Sequence, residues 1–140
     1  MKVLVLGGAG YIGSHICKAL ALMNHQTMVL DNLSTGHREA VRWSQFIEAD
    51  ILDAEALLSI LQDAGPFDLI MHFCAKSLVG ESVQNPALYY RNNVAGTLNL
   101  LDAMVATGHD KLVFSSTAAV FGLPEQDLID EQHPRMPINP

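Results

Sequence analysis

The first residues whose spacing could do chemistry are Gly7, Gly8, Gly10 and Gly13. They give both GxxGxxG and a literal GxGxxG within MKVLVLGGAGYIGSH. Glycine permits a tight turn, lets main-chain N–H groups approach an anion closely, and lets the next helix lie against the preceding strand with its partly positive N-terminus facing that anion. The pyrophosphate of a dinucleotide is the anion such a turn accommodates. Asp31 stands eighteen residues past Gly13. Its carboxylate suits both hydroxyls of an adenosine ribose and repels a 2′-phosphate, so the expected cofactor is NAD rather than NADP. An N-cap or turn aspartate is the alternative role. Asp50 and Ile51 suit the adenine, the acid accepting from its amino group and the isoleucine packing on its ring; a helix cap is the other role open to Asp50. Ser115, Ser116 and Thr117 bring three hydroxyls together, as a reaction centre or a simple turn requires.

These residues need strands and helices to bring them to one place. Lys2–Leu6 (KVLVL) has the unbroken apolar pattern of a parallel strand buried on both faces. Ile12, Ile16, Ala19, Leu20 and Met23 recur at helical spacing and are expected to face the sheet, with Asn24 ending the helix. Thr27–Leu30 is a second buried strand. Asn32–Gly36 is turn chemistry, His37–Trp43 a short surface helix, and Phe46 and Ile47 mark a third strand. Asp53 caps a helix over 54–62, which Gly65 and Pro66 break.

Phe67–Phe73 is the fourth strand, and Phe73-Cys74-Ala75-Lys76-Ser77 at its end lies where a nicotinamide half belongs. Small residues at Cys74 and Ala75 permit close approach, while Lys76 is a cation for the cofactor or a solvated lysine. His72 fits a hydrogen-bonded core histidine. Asn85-Pro86 starts the longest helix, which stops at Gly108. Within it Asn92 and Asn93 are polar where a core is expected, and Gly96 leaves room for close packing or a ligand. Lys111–Phe114 is the fifth strand, which puts Ser115–Thr117 at the carboxyl end of a central strand. From Leu123 onward four prolines among acids predict loop. The result is an α/β fold: a Rossmann-type, doubly wound parallel sheet in one domain over 1–140, truncated after the fifth strand.

Composition narrows the classes. A chain of 140 residues with 49% hydrophobic content is one domain with a sizeable core. The net charge of -7 argues against nucleic acid, since no basic stripe exists to neutralise phosphates. Cys17 and Cys74 stand far apart with no CxxC, which fits free thiols in a reducing cytoplasm. The six histidines show no ligand spacing, so no metal is expected. No run reaches membrane length.

GGAGYIGSH, LDNLSTG, LVGESVQNPALYYRNNVAGTLNLL and FSSTAAVFG together resemble the UDP-glucose 4-epimerase family of extended short-chain dehydrogenases/reductases, over nearly the whole chain. The resemblance implies a tightly held NAD that takes a hydride from C4 of a UDP-hexose and returns it to the other face of the 4-keto intermediate. Carried over by position, Gly7, Gly10, Tyr11 and Ile12 hold pyrophosphate, Asp31 and Asn32 the adenosine ribose, and Asp50 and Ile51 the adenine. Phe73, Cys74 and Ala75 line the nicotinamide side with Asn93 near it, and Thr117 bonds the sugar 4-hydroxyl. The family's cofactor-contacting lysine aligns with Ser77, one residue after Lys76.

The family's YxxxK pair is absent: the residues four past Tyr11, Tyr89 and Tyr90 are His15, Asn93 and Val94. In the family that tyrosine follows a segment like PINP, so the chain resembles an N-terminal part of such an enzyme, expected to be inactive alone. The family also dimerises through the long helix, which implies an exposed apolar face over 86–107 and a homodimer. Two other readings stand beside this one. A sibling dehydratase or decarboxylase needs an added acid near Thr117, where Ala118 and Ala119 offer none; a non-catalytic NAD-binding module needs no YxxxK.

Overall fold

In the computed structural model, which describes residues 1–140, β1 (Lys2–Leu6) is the axis of a parallel sheet. Its side chains alternate between two cores. Leu4 and Leu6 join Leu30, Ile70 and Phe67 beneath Leu57 and Leu61, with Leu100, Ala103 and Met104 on the same face. Val3 and Val5 join Val29 and Cys17 on the other face. A strand in contact with helices on both sides has no face for a polar residue, which is why KVLVL is apolar throughout.

The remaining strands are β2 (Gln26–Asp31), β3 (Gln45–Glu48), β4 (Leu69–His72) and β5 (Leu112–Phe114). They lie in the order β3-β2-β1-β4-β5, all parallel. Chain order reverses between β1 and β4, and in an open sheet the crevice at such a reversal, beyond the carboxyl ends of the strands, is where ligands sit. The helices are α1 (Tyr11–Leu22), α2 (Ala54–Asp63), α3 (Val79–Gln84), α4 (Pro86–Tyr89) and α5 (Gly96–Thr107). The Rossmann-type parallel sheet expected from the sequence is present.

Several local expectations hold for stated reasons. Asp53 caps α2, its carboxylate accepting the Ala56 N–H at 2.9 Å. Gly108 ends α5 at φ 74°, a left-handed conformation. Gly96 packs directly on Ile51, since a Cβ there would lie 2.5 Å from Ile51 Cδ1.

Others are corrected. The buried side of α1 is Gly13 and Cys17, while Ile12, Ala19 and Met23 are exposed. A Cβ at Gly13 would fall 2.3 Å from the Gly7 carbonyl oxygen, so the contact with the turn sets which side of the helix meets the sheet. The helix expected over His37–Trp43 is a single 3-10 turn, Arg38–Ala40. The fourth strand is shorter than Phe67–Phe73, although the Phe73 N–H still bonds the Leu6 carbonyl at 2.8 Å. The long helix from Pro86 passes through a π-helical stretch, Tyr90–Ala95, and Asn85 precedes it without a side-chain cap. A separate helix, α3, was not expected before it. Strand β5 lies at the edge of the sheet formed by these residues rather than at its centre, so the Ser115–Thr117 hydroxyls follow an edge strand.

Candidate functional site

The turn after β1 is fixed from both neighbouring strands. The Gly7 N–H donates to the Leu30 carbonyl at 2.8 Å, and Gly7 holds φ 77°, where a side chain is strained. A Cβ there would lie 2.6 Å from the Phe73 carbonyl carbon. The chain can therefore pass between β2 and β4 only as glycine. At the start of α1, Gly10 supplies no side-chain cap, and the N–H groups of Tyr11, Ile12 and Gly13 have no backbone acceptor. Those donors and the helix dipole together make an anion-facing surface.

Asp31 ends β2 beside this turn and is 7% exposed. One carboxylate oxygen accepts the Ala9 N–H at 3.0 Å and the other the Leu33 N–H at 2.8 Å. It thus serves as a turn aspartate, and two bonds leave about half of a carboxylate's roughly four acceptor sites free. Asn32 donates to Asp50 at 2.8 Å, and Asp50 also accepts the Leu52 N–H at 2.9 Å. Asp50 is therefore engaged locally, with helix capping left to Asp53.

Beyond the ends of β1, β2 and β4 lies a cavity of about 280 Å³. Of the residues expected at a cofactor, Gly7, Gly10, Asp31, Asn32, Ile51, Phe73, Cys74 and Ala75 line it, as does Lys76. Tyr11, Ile12, Asp50, Asn93 and Thr117 do not. The Tyr11 side chain is 81% exposed and packs against His15 with the rings tilted by 48° and their centroids 4.6 Å apart. The Asn93 amide is engaged with the Lys76 backbone, accepting its N–H at 2.8 Å and donating to its carbonyl at 2.9 Å. The Thr117 hydroxyl is exposed and accepts the Ala119 N–H at 3.1 Å, capping a 3-10 turn over Ala118–Phe121.

Residues given no cofactor role from the sequence also line the cavity, among them Ser34, Thr35, Leu78, Glu81, Tyr89 and Asn92. Asn92 had a signal, a polar side chain in a packed helix; it donates to the Cys74 carbonyl at 3.0 Å. Tyr89, alternating with nothing and looking like any buried aromatic, had none.

Two titratable groups at the carboxyl end of β4 are shifted by burial. Burial pushes the Cys74 thiol up to about 12, with smaller contributions from the Asp31 and Asp50 charges. Burial also lowers His72, which is 1% exposed and lies 3.3 Å from the Thr97 hydroxyl. Thr97 gives its proton to the Asn93 carbonyl at 2.7 Å, so His72 donates to Thr97 as a neutral, satisfied core histidine. The protonated Cys74 thiol is not a ready nucleophile at neutral pH.

Residues 3–140 match the NAD dependent epimerase/dehydratase family. The chain is 51% identical over 139 residues to the UDP-glucose 4-epimerase of Rhizobium meliloti, covering 99% of the chain and 42% of that protein. It superposes on the crystal structure of UDP-glucose 4-epimerase from Brucella ovis in complex with NAD with a TM-score of 0.94 at 49% identity, covering 99% of this chain and 42% of that one. The UDP-Glc/GlcNAc 4-epimerase of Campylobacter jejuni gives a TM-score of 0.92 at 42% identity, with 99% and 44% covered. The chain therefore spans a little over two fifths of the length of these relatives.

Proposed function

The chain belongs to the NAD dependent epimerase/dehydratase family, and from that premise we propose that residues 1–140 are the cofactor-holding domain of an enzyme that interconverts UDP-glucose and UDP-galactose. The observation that carries the reading is the cavity at the strand-order reversal, lined by the glycine turn on one side and Asp31 on the other. NAD fits the residues present. Uncapped amides at the start of α1 suit its pyrophosphate, and the free acceptor sites of Asp31 suit a ribose diol. The negative charge of Asp31 disfavours a 2′-phosphate, which selects NAD over NADP.

When bound, NAD supplies the hydride acceptor and donor for transient oxidation at C4 of the sugar. The chain's own residues hold and orient. Asn32 completes the ribose side, Ile51 the adenine side, and Phe73, Cys74 and Ala75 the nicotinamide side. The Cys74 thiol stays protonated, so it adds no charge where the ring binds. Thr117 is the residue that the family resemblance assigns to the sugar 4-hydroxyl; its oxygen accepts the Ala119 N–H, which leaves the hydroxyl proton to donate. No Tyr-x-x-x-Lys pair occurs in the 140 residues, so proton transfer at that hydroxyl has no base among them.

NADH titration of the chain, followed by nicotinamide fluorescence, is expected to saturate, with NADPH binding at least tenfold weaker. UDP-galactose incubated with the chain alone is expected to remain unconverted. Equal affinity for NADH and NADPH would remove the role given to Asp31; turnover by these residues would remove the mechanism.

A further inference from the structure

The outer wall of the cavity is a strap rather than a strand or helix. Ala75, Lys76, Ser77 and Leu78 line the cavity between β4 and α3, Glu81 joins them from the first turn of α3, and Leu78, Gly80 and Glu81 are exposed. Residues 75–78 form no regular element, so apart from the Leu78 carbonyl, which accepts the Ser82 N–H at 2.9 Å, their main-chain groups depend on side chains for partners. Three residues from the helix beneath supply them. Asn92 holds the Cys74 carbonyl, Asn93 clasps both main-chain groups of Lys76, and Tyr89 takes Leu78.

The Tyr89 contacts are unlike the other two. Its hydroxyl oxygen accepts the Leu78 N–H at 3.1 Å and lies 2.9 Å from the Leu78 carbonyl and 2.7 Å from Glu81 Oε2. A phenol has one proton, so only one of those two acceptors receives it at a time. Burial, and then the Glu81 carboxylate, push the phenol above its usual range, which keeps that proton in place. The ring is 2% exposed and cannot swing away from the strap. The hydroxyl thus fastens the strap at Leu78 and shares its proton between the strap's backbone and the first turn of α3.

We propose that Tyr89 is a positioning residue of the cofactor cavity: its hydroxyl holds the strap over 75–78 in place as the outer wall, and so governs how long a bound dinucleotide stays. This rests on the cofactor reading above for the ligand, and on the strap geometry alone for the fastening. The ligand passes the strap on leaving, so loosening it speeds dissociation more than association.

The test uses Tyr89→Phe, which keeps the buried ring and removes only the hydroxyl, with Glu81→Ala as the second variant. Stopped-flow NADH fluorescence is expected to give a dissociation rate about tenfold faster for Tyr89→Phe, with association within about twofold of the parent chain. Hydrogen exchange without ligand is expected to show the Leu78 amide exchanging about tenfold faster in Tyr89→Phe while the β1 amides stay protected. In Glu81→Ala the phenol proton turns to the Leu78 carbonyl, and Leu78 protection is retained. Unchanged Leu78 exchange and dissociation in Tyr89→Phe overturn the proposal, as does slower association accompanied by exposed β1 amides, the mark of general loosening. Equal loss of Leu78 protection in Glu81→Ala also overturns it. A parent chain that does not retain NADH defeats the cofactor reading, and the exchange result then decides the fastening by itself.

Discussion

The Asp31 carboxylate accepts the Ala9 amide at 3.0 Å, so the last residue of β2 braces the turn that follows β1. Its other oxygen holds the Leu33 N–H. Asp31→Ala leaves two main-chain donors without a partner near a residue that is almost fully buried, and each such loss costs about 1–3 kcal/mol. The expected outcome is a stability loss of about 2–4 kcal/mol in urea unfolding, together with NADH affinity lowered at least tenfold. Asp31→Asn keeps one acceptor oxygen and is expected to fall between. A variant that keeps full stability would show that the brace carries no weight.

Gly13 and Gly80 form a matched pair for separating steric from conformational effects. A Cβ on Gly13 meets the Gly7 carbonyl oxygen at 2.3 Å and Gly8 Cα at 2.7 Å, both main chain, whereas one on Gly80 meets nothing within 4 Å. Gly13→Ala must push α1 off the turn, at an expected cost of about 1–3 kcal/mol. Gly80→Ala, inside α3, is expected to stabilise by about 0.5–1 kcal/mol. Chemical denaturation of both variants checks the opposite signs.

Cys74 is expected to resist alkylation. Thiol reagents attack the thiolate, and a group pushed up to about 12 is almost wholly protonated at pH 8. The folded chain is therefore expected to react slowly at Cys74 at pH 8 and quickly once unfolded in urea. Linkage adds a direction. The unfolded thiol loses its proton near 9.0 and the folded one near 12, so the contribution to stability is full below that window and is lost as pH rises through it. Cys74→Ala is expected to flatten the fall in urea midpoint above pH 9; a parallel fall in the variant would assign the effect elsewhere.

The sequence was legible where the signal is local. KVLVL needs only its own alternation between two cores, Asp53 only the Ala56 amide, and Gly108 only its left-handed φ. It misled where a distant contact decides. The spacing of Ile12, Ile16 and Met23 is a good helical stripe, yet the close approach of Gly13 to Gly7 turns α1 so that Cys17 faces inward instead. On the candidate site, residues at strand ends such as Asp31 and Phe73–Ala75 were readable because the fold places every strand end together. Leu78, Glu81 and Tyr89 were not, because they meet through a strap, a short helix without a capping side chain and a π-helical stretch that leave no periodic trace.

The helix face away from the sheet makes the last prediction. Tyr90, Val94, Leu98, Leu101 and Val105 are all exposed, Val105 at 82%, and their spacing of three and four residues puts them on one stripe. An apolar stripe of this length is unfavourable in water and is relieved by covering it. A second copy of the chain offers the same stripe, and two antiparallel copies would bury both. The chain is therefore expected to self-associate at micromolar concentration, with Val94→Lys and Leu98→Lys shifting it to monomer by placing two cations in the middle of the contact, which cost far more desolvated than exposed. Sedimentation velocity on the parent and the double variant measures the shift directly. A parent chain that sediments as a single monomeric species across that range would show that the stripe, though exposed, does not drive association in these residues.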